Sequence, residues 1–387
     1  MRFKLLRLLL FFLLFVLFAP QVTKAEGELR IGALEFHPYL TLKDKYSDNI
    51  YFTSTGAKQD RILTTIPGIK LLLPFRAHEL ALGYNAIIEE YSKYDSESVT
   101  DHNANALLNF ELGNNWGVKL SDIYANKHES RSESATGDRE EYEVNKAGSS
   151  VTYKLEDISK VQLDYTKSNY DFKTSQFRDR DEELISGYIY YNFLPRTSAF
   201  VEYDHGNVDF DSDSDTTLDN KVDSGLLGLT WELEKKSKGT IKGGYLWKDF
   251  DAYDTEKVGV WEVSLDHGFT DYTSILLRGQ RMVNESSLQD TRYYITTGSY
   301  GEFTHKFIDT VSGVLRGAYG TDDFSNALPS ETETREDKTY TTGAGLKYLF
   351  QYWLTLSFDF NYTGRNSNID VNDFIERSYA ITMNSAL

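Results

Sequence analysis

The side chains with the most evident chemical potential in this sequence are aspartates. Asp209-Phe210-Asp211-Ser212-Asp213-Ser214-Asp215 sets carboxylates at alternate positions, and hard oxygen ligands of this kind suit Ca²⁺. A calcium loop of the EF-hand type needs glycine at its sixth position and glutamate at its twelfth. Counted from Asp211, those positions hold Thr216 and Val222. The segment therefore reads as a solvated acidic loop, with weak binding of divalent ions as the alternative. The histidines (His37, His78, His102, His128, His205, His267 and His305) are scattered, without H-x-x-H or H-E-x-x-H spacing. There is no G-x-S-x-G and no phosphate- or dinucleotide-binding glycine loop. A hydrolase would need serine, histidine and an acid brought together by strand pairing. No catalytic residue, cofactor or metal site is assigned, and the chain is expected not to be an enzyme.

The remaining polar chemistry is spread along the chain with a period of two. Leu354, Leu356, Phe358, Phe360 and Tyr362 alternate with Thr355, Ser357, Asp359 and Asn361. Tyr340, Thr342, Ala344, Leu346 and Tyr348 repeat the pattern, as do Leu227, Leu229, Trp231 and Leu233, and Ile185, Gly187, Ile189, Tyr191 and Phe193. Period two marks a strand between two different environments. The polar positions carry full charges, which a dry core would not accept without partners but a wet lumen does. Parity sends Lys119, Lys154, Lys242, Arg316 and Lys347 inward, together with Glu111, Asp164, Glu202, Glu232, Glu302 and Asp359. Rings of such charges tune what passes a pore, whereas salt bridges between them would brace the wall. Tyr188, Tyr190, Tyr294 and Tyr300 also point inward, where they either line a sliding path for a permeant chain or fill space in the wall.

These strands must be placed in a compartment, and the first residues address that. Arg2, Lys4 and Arg7 precede an apolar run from Leu8 to Ala19, which Pro20 ends before Thr23-Lys24-Ala25. This reads as a secretory signal peptide over residues 1–25, the run being short for a span of ~20 residues. With 0 cysteines, disulfides, thiolate sites and a lipid-modified N-terminus are excluded. The net charge of −18 becomes about −22 once four cations (Arg2, Lys4, Arg7, Lys24) leave with the signal, which argues against nucleic acid as a partner. The mean hydropathy of −0.47 does not argue against a membrane, because a spanning barrel shows lipid only every second residue.

Short turns at Pro74-Phe75-Arg76, Gly113-Asn114-Asn115, Glu156-Asp157-Ile158, Leu194-Pro195-Arg196, Lys235-Lys236-Ser237, Thr270-Asp271-Tyr272, Ile308-Asp309 and Phe350-Gln351 alternate with longer polar segments such as His128–Glu141, Asp209–Lys221 and Asp322–Lys338. Such turns recur about every 40 residues, the length of one spanning hairpin with its loop. Residues 26–387 are therefore expected to form one transmembrane antiparallel up-and-down β-barrel of about 18 strands, all-β, with 16 as the alternative. The alternative stands because the strands around Val118 and Val258 alternate less cleanly. Aromatics near strand ends (Tyr91 and Tyr94, Tyr170 and Phe172, Phe193, Phe269 and Tyr272, Tyr293 and Tyr294, Phe350, Tyr352 and Trp353) suggest girdles at the two membrane boundaries. The last strand ends with Tyr379, Ile381, Met383, Ser385 and Leu387 on one face. It resembles the signal read by barrel-assembly machinery, with Leu387 where an aromatic is usual.

The N-terminal segment Leu34-Glu35-Phe36-His37-Pro38-Tyr39-Leu40, followed by Tyr46-Ser47-Asp48-Asn49-Ile50-Tyr51, Asp60, Pro67-Gly68 and Leu80-Ala81-Leu82-Gly83-Tyr84, resembles a β-barrel porin family of Gram-negative outer membranes found with exopolysaccharide and capsule biosynthesis loci. The resemblance implies an outer-membrane conduit for a secreted polysaccharide and carries no residue-level mechanism. The partners expected are outer-membrane lipid and lipopolysaccharide, barrel-assembly machinery during biogenesis, and exopolysaccharide with its periplasmic export machinery. Two other classes stay open: a structural barrel with a plugged lumen whose acidic loops bind a partner or surface polymer, and a barrel hydrolase.

Overall fold

The computed structural model describes residues 29–386, apart from 133–136, 138, 157, 212–217, 234–235, 290 and 330. The signal-peptide region, the centre of the acidic 209–215 run and Leu387 lie outside the described residues. A three-residue strand, β1 (Leu29–Ile31), leads into the wall. The first half of the wall comprises β2 (Leu34–Ser47), β3 (Asp60–Phe75), β4 (His78–Tyr91), β5 (Val99–Leu112), β6 (Trp116–His128), β7 (Glu141–Leu155), β8 (Ser159–Phe172), β9 (Arg180–Leu194) and β10 (Thr197–Phe210). The second half comprises β11 (Asn220–Leu233), β12 (Ser237–Phe250), β13 (Glu256–Gly268), β14 (Thr273–Glu285), β15 (Tyr293–Ile308), β16 (Val311–Phe324), β17 (Glu336–Gln351), β18 (Leu354–Ser367) and β19 (Phe374–Ala386). Each strand pairs antiparallel with its neighbours in sequence, and β19 pairs with β2, so β2–β19 close an 18-stranded barrel.

Closure follows from the solvent. In hydrocarbon an unpaired backbone N–H or C=O finds no water, so a sheet can span lipid only when it has no edge. The alternation read from the sequence takes its expected form. Leu227, Ile189, Leu315, Ile381 and Phe358 are among the exposed apolar side chains, and they form the outward face. The short turns lie at one end and the longer connections at the other, which is the outer end by the usual barrel asymmetry.

The chain's own two ends are the natural weak point of such a wall, and the Tyr46–Tyr51 segment sits there. Ladder pairing between β2 and β19 runs from Ser47↔Ser378 to Tyr39↔Ala386. Below that point β1 takes over the edge of β2, pairing Leu29 with Phe36. Above it, Asp48 and Asn49 continue the junction. Asp48 N–H donates to the Arg377 carbonyl (3.1 Å), and the Asp48 carboxylate accepts from Arg377 N–H (2.7 Å). The Asn49 side chain, 2% exposed, donates to the carbonyls of Thr53 (2.9 Å) and Ile375 (3.0 Å) and accepts from Thr53 N–H. Asp60, 1% exposed, accepts from the N–H groups of Arg61, Lys93 and Tyr94 and so ties down the next loop. Deeper in the wall, Gly68 faces Tyr39 across the ladder, and a Cβ at Gly68 would lie 2.2 Å from the Tyr39 ring, so only glycine lets that ring lie flat there.

Asn49→Ala removes the clasp between the first loop and the last strand and with it three part-buried hydrogen bonds, to the carbonyls of Thr53 and Ile375 and from Thr53 N–H, at a cost of about 1–3 kcal/mol. We expect the heat-induced mobility shift of the folded barrel on a denaturing gel to occur at a lower temperature in this variant. An unchanged transition would show that the ladder alone holds the closure.

Candidate functional site

The bore of the barrel is the candidate site, and its wall is built by the residues that alternate with the outward apolar ones. Tyr188 and Tyr190 flank Ile189, which is 63% exposed on the outer face. Their rings stack at 6.0 Å, and Tyr190 also meets Phe200 at 5.2 Å. Tyr188 donates to Glu202 (3.3 Å), whose carboxylate is held by Lys242 at 2.9 and 3.1 Å. Lys242 also approaches Glu262 (3.5 Å). Lys160 lies 3.8 Å from the centre of the Tyr190 ring and donates to Gln162, which in turn donates to Asp164 (2.9 Å). Further round the bore, Arg316 bridges Glu302 (2.9 Å) and Asp359 (2.8 Å), and Tyr300 donates to Glu302 (2.9 Å).

The fold thus gathers two groups of the residues expected to face the lumen: Tyr188, Tyr190, Glu202 and Lys242, and Tyr300, Glu302, Arg316 and Asp359. A third group, Glu111, Lys119 and Asp164, lines a recess of about 780 Å³ near the short-turn end, which Glu79 and Gln162 share. Lys154, Lys347 and Glu232 make no ion pair with the described residues; Glu232 stands opposite Lys238 in the ladder. Tyr294 stacks on buried Phe324 at 5.3 Å near the outer mouth, with Leu288 and Leu328 beside it.

The outer mouth is narrowed by the described residues of the connection between β6 and β7, 129–132, 137 and 139–140, whose side chains reach into the bore. Arg131 pairs with Glu97 (2.7 Å), donates to the Gly137 carbonyl and lies over the Tyr51 ring (5.1 Å). Arg139 pairs with Glu89 (2.9 Å) and donates to Tyr91. The Ser132 carbonyl accepts from Arg365 on β18. Strands β19 and β2–β5 separate β18 from β6 along the wall, so this contact crosses the lumen. Glu140 anchors the loop's far end by accepting from Thr174 N–H (2.7 Å) and Ser175 Oγ (2.9 Å). Burial opposes the Glu140 charge, but these hydrogen bonds and nearby Arg178 outweigh it and hold the carboxyl below its ordinary range.

Arg131, Arg139, Glu89, Glu97 and Arg365 were not singled out by parity or motif. Arg131 and Arg139 lie in a loop, where alternation says nothing, and Arg365 meets its partner 233 residues away. The aromatic girdles need correction at the outer end. Phe193, Phe269, Tyr272, Phe350 and Tyr352 are exposed at the short-turn end, as a girdle requires. Phe172 and Tyr293 instead are buried, and Tyr91 bonds the inward loop. Outward tyrosines in mid-strand and above, such as Tyr203, Tyr245 and Tyr319, form the exposed aromatic face there. Of the histidines, His128 is held by Asp101 (2.7 Å), His205 by Asp223 (2.9 Å), and His305 meets Thr273.

The geometry is that of a wide antiparallel barrel with a polar bore, and comparisons with known proteins agree. OpdQ of Pseudomonas aeruginosa has the same fold at a TM-score of 0.51 and 12% identity, over 92% of this chain and 100% of that one. OpdK of the same organism matches at a TM-score of 0.50 and 10% identity, over 91% and 99%. No curated protein sequence matches the chain. The family described as "Putative beta-barrel porin 2" matches residues 24–386, nearly the whole length, and the chain belongs to that family of outer-membrane porin-like barrels.

Proposed function

We propose that this porin-like barrel is a passive outer-membrane channel for neutral hydrophilic chains, with secreted exopolysaccharide as its cargo and no chemistry of its own. The observation that carries this reading is the pairing of charge along the bore. Glu202 and Glu262 flank Lys242, and Glu302 and Asp359 flank Arg316, so each cation is answered within the wall and each trio keeps only one net negative charge. Unanswered rings of charge select ions; answered ones leave hydroxyl and tyrosine surface. A pyranose offers apolar C–H faces to a tyrosine ring and hydroxyls that exchange readily with water, which suits Tyr188, Tyr190 and Tyr300. OpdK was crystallised with vanillate, a small carboxylate. Here the inner recess mixes both signs, Glu79, Glu111 and Asp164 with Arg76 and Lys119, and so offers no single-sign surface for such an anion. The proposal includes export with cleavage after Ala25, folding by barrel-assembly machinery into a Gram-negative outer membrane among lipopolysaccharide, and delivery of polymer by periplasmic export machinery.

The test is single-channel recording of the refolded, signal-free protein with neutral oligosaccharides added. Sugar is expected to interrupt the current, and replacing Tyr188, Tyr190 and Tyr300 by alanine should weaken that block about tenfold, equivalent to ~1.4 kcal/mol. Block of equal strength in wild type and variant would remove the tyrosine path. No block at all would remove the sugar reading.

The ties of Arg131, Ser132 and Arg139 at the mouth favour a second reading, a barrel closed until a partner releases these residues. Arg131→Ala combined with Arg139→Ala cuts the ties to Glu97, Glu89 and Tyr91. If the loop is the restriction, single-channel conductance should rise by about twofold or more, with noisier open steps, since the bore's narrowest section governs passage. Conductance identical to wild type would place the restriction elsewhere.

A further inference from the structure

One junction in the wall does not close. The β12–β13 ladder runs to Lys248↔Glu256 and the β14–β15 ladder to Glu285↔Tyr293, so all four strands reach the outer end. Between β13 and β14, however, pairing stops at Trp261↔Arg281. Residues 256–260 and 282–285 remain strand but do not pair with each other, the longest such gap between neighbours. The Arg281 side chain enters its lower end, donating to the Gly259 carbonyl (3.1 Å) and to Thr297 Oγ1 (2.7 Å).

The reason is visible in the packing. Leu226, Leu246, Val258 and Val260 occupy inward positions on β11–β13, alternating with outward Leu227, Tyr245, Trp247 and Trp261. Val283 and Ile295 share the parity of outward Leu277 and Phe303, yet they pack on that inward patch. The outer ends of β14 and β15 must therefore bend behind β13 into the bore. Lys248, 2% exposed, fixes them by pairing with Glu285 while also donating to Asn220 (2.7 Å). Tyr293 stacks on Phe250 at 6.0 Å, and Arg292 pairs with Glu256 (3.4 Å). The other oxygen of Glu285 is buried without a hydrogen-bond partner among the described residues, so this latch is not fully satisfied.

On the outside, an apolar trough of about 770 Å³ runs over Ile189, Val201, Leu227, Ile241 and Val263 and ends at Trp261, the last paired residue below the gap. Above it, Lys257 sits 4.3 Å from the Tyr245 ring centre and 5.4 Å from that of Trp247. A cation beside two outward aromatics marks the level of lipid headgroups. The trough faces acyl chains and the gap opens where headgroups begin.

We propose that the β13–β14 gap is a lateral portal for the acyl chain of an outer-leaflet amphiphile. When the ends of β14 and β15 swing off the wall, the chain passes from the trough to the patch of Leu226, Leu246, Val258 and Val260. The patch that Val283 and Ile295 cover in the closed state is the apolar surface that receives it. The unpaired backbone groups beside it stay at headgroup level, where water can reach them, so opening exposes no new polar backbone to hydrocarbon.

Because the chain has 0 cysteines, Val258→Cys with Val283→Cys creates the only possible disulfide. The full barrel, in vesicles containing a phosphatidylethanolamine with a diazirine in its acyl chain, would be irradiated oxidised and reduced, and labelled positions read by mass spectrometry. The portal predicts label on Leu246 and Val260 in the reduced protein, reduced several-fold on oxidation, with Leu227 and Val263 labelled equally in both. Label confined to the outward residues in both states would overturn it, as would failure of the disulfide to form in folded protein. Should the double variant not fold, Lys248→Met frees Glu285 from its latch and must increase inward labelling; no increase would equally sink the proposal.

Discussion

Everything in this molecule depends on the backbone's need for hydrogen bonds in a solvent that offers none. A strand in hydrocarbon must be paired on both sides, so the sheet has to return on itself, and the pairing of β19 with β2 is what makes the other seventeen junctions tolerable. That junction is joined by no turn, because it lies between the chain's two ends. The structure compensates with contacts that hairpins do not need: Asp48 on Arg377, Asn49 on Ile375, Lys45 on Glu376, and β1 lying along the part of β2 that β19 does not reach. The segment that most resembles a known family is thus the one that closes the wall.

Closure divides space, and the division sets where charge can go. Within the bore, Lys242, Arg316, Glu302 and Asp359 stay partly wet and pair sideways along the wall, with Glu202 buried against Lys242. At the outer mouth, charges are buried in earnest: Asp60, Lys248, Arg335 and Asp337 are each under 5% exposed. They bear the cost of desolvation because each has several partners, as Asp60 has three backbone donors and Asp337 the guanidinium of Arg335. The mouth is therefore a second, polar core. It holds the inward loop and the bent strand ends where the ladder alone would leave a wide opening.

Much of this was legible in the sequence, for a physical reason. Two environments on two faces write period two into every strand, so Leu354–Tyr362 and Ile185–Phe193 announced themselves, and the spacing of turns led to eighteen strands. Parity also put Glu202 beside Lys242 and Arg316 beside Glu302 on one face. It could not show who pairs with whom, since Lys242 meets Glu202 across an intervening strand. Nor could it foresee the mouth, where aromatics near strand ends serve a headgroup girdle or an inward cluster equally well. Phe172 and Tyr293 took the second course because loop and strand ends fold over them.

The weakest alternation proves the most informative. Around Val258 the sequence places apolar residues on both faces, Val258 and Val260 on one and Trp261 and Val263 on the other. In a simple barrel that is a fault, since one face meets water. Here the inward face is covered by Val283 and Ile295, so both sets are dry. The same covering pulls β14 away from β13 and leaves their outer ends unpaired. Two-sided apolarity and the missing ladder are one fact seen twice, because a strand end that leaves the wall to pack inside it must find an apolar surface there. The junction between the chain's ends, which topology leaves weakest, is latched, whereas one joined by a short turn is open at its top. The latter opening is an arrangement of side chains and not a consequence of where the chain begins and stops.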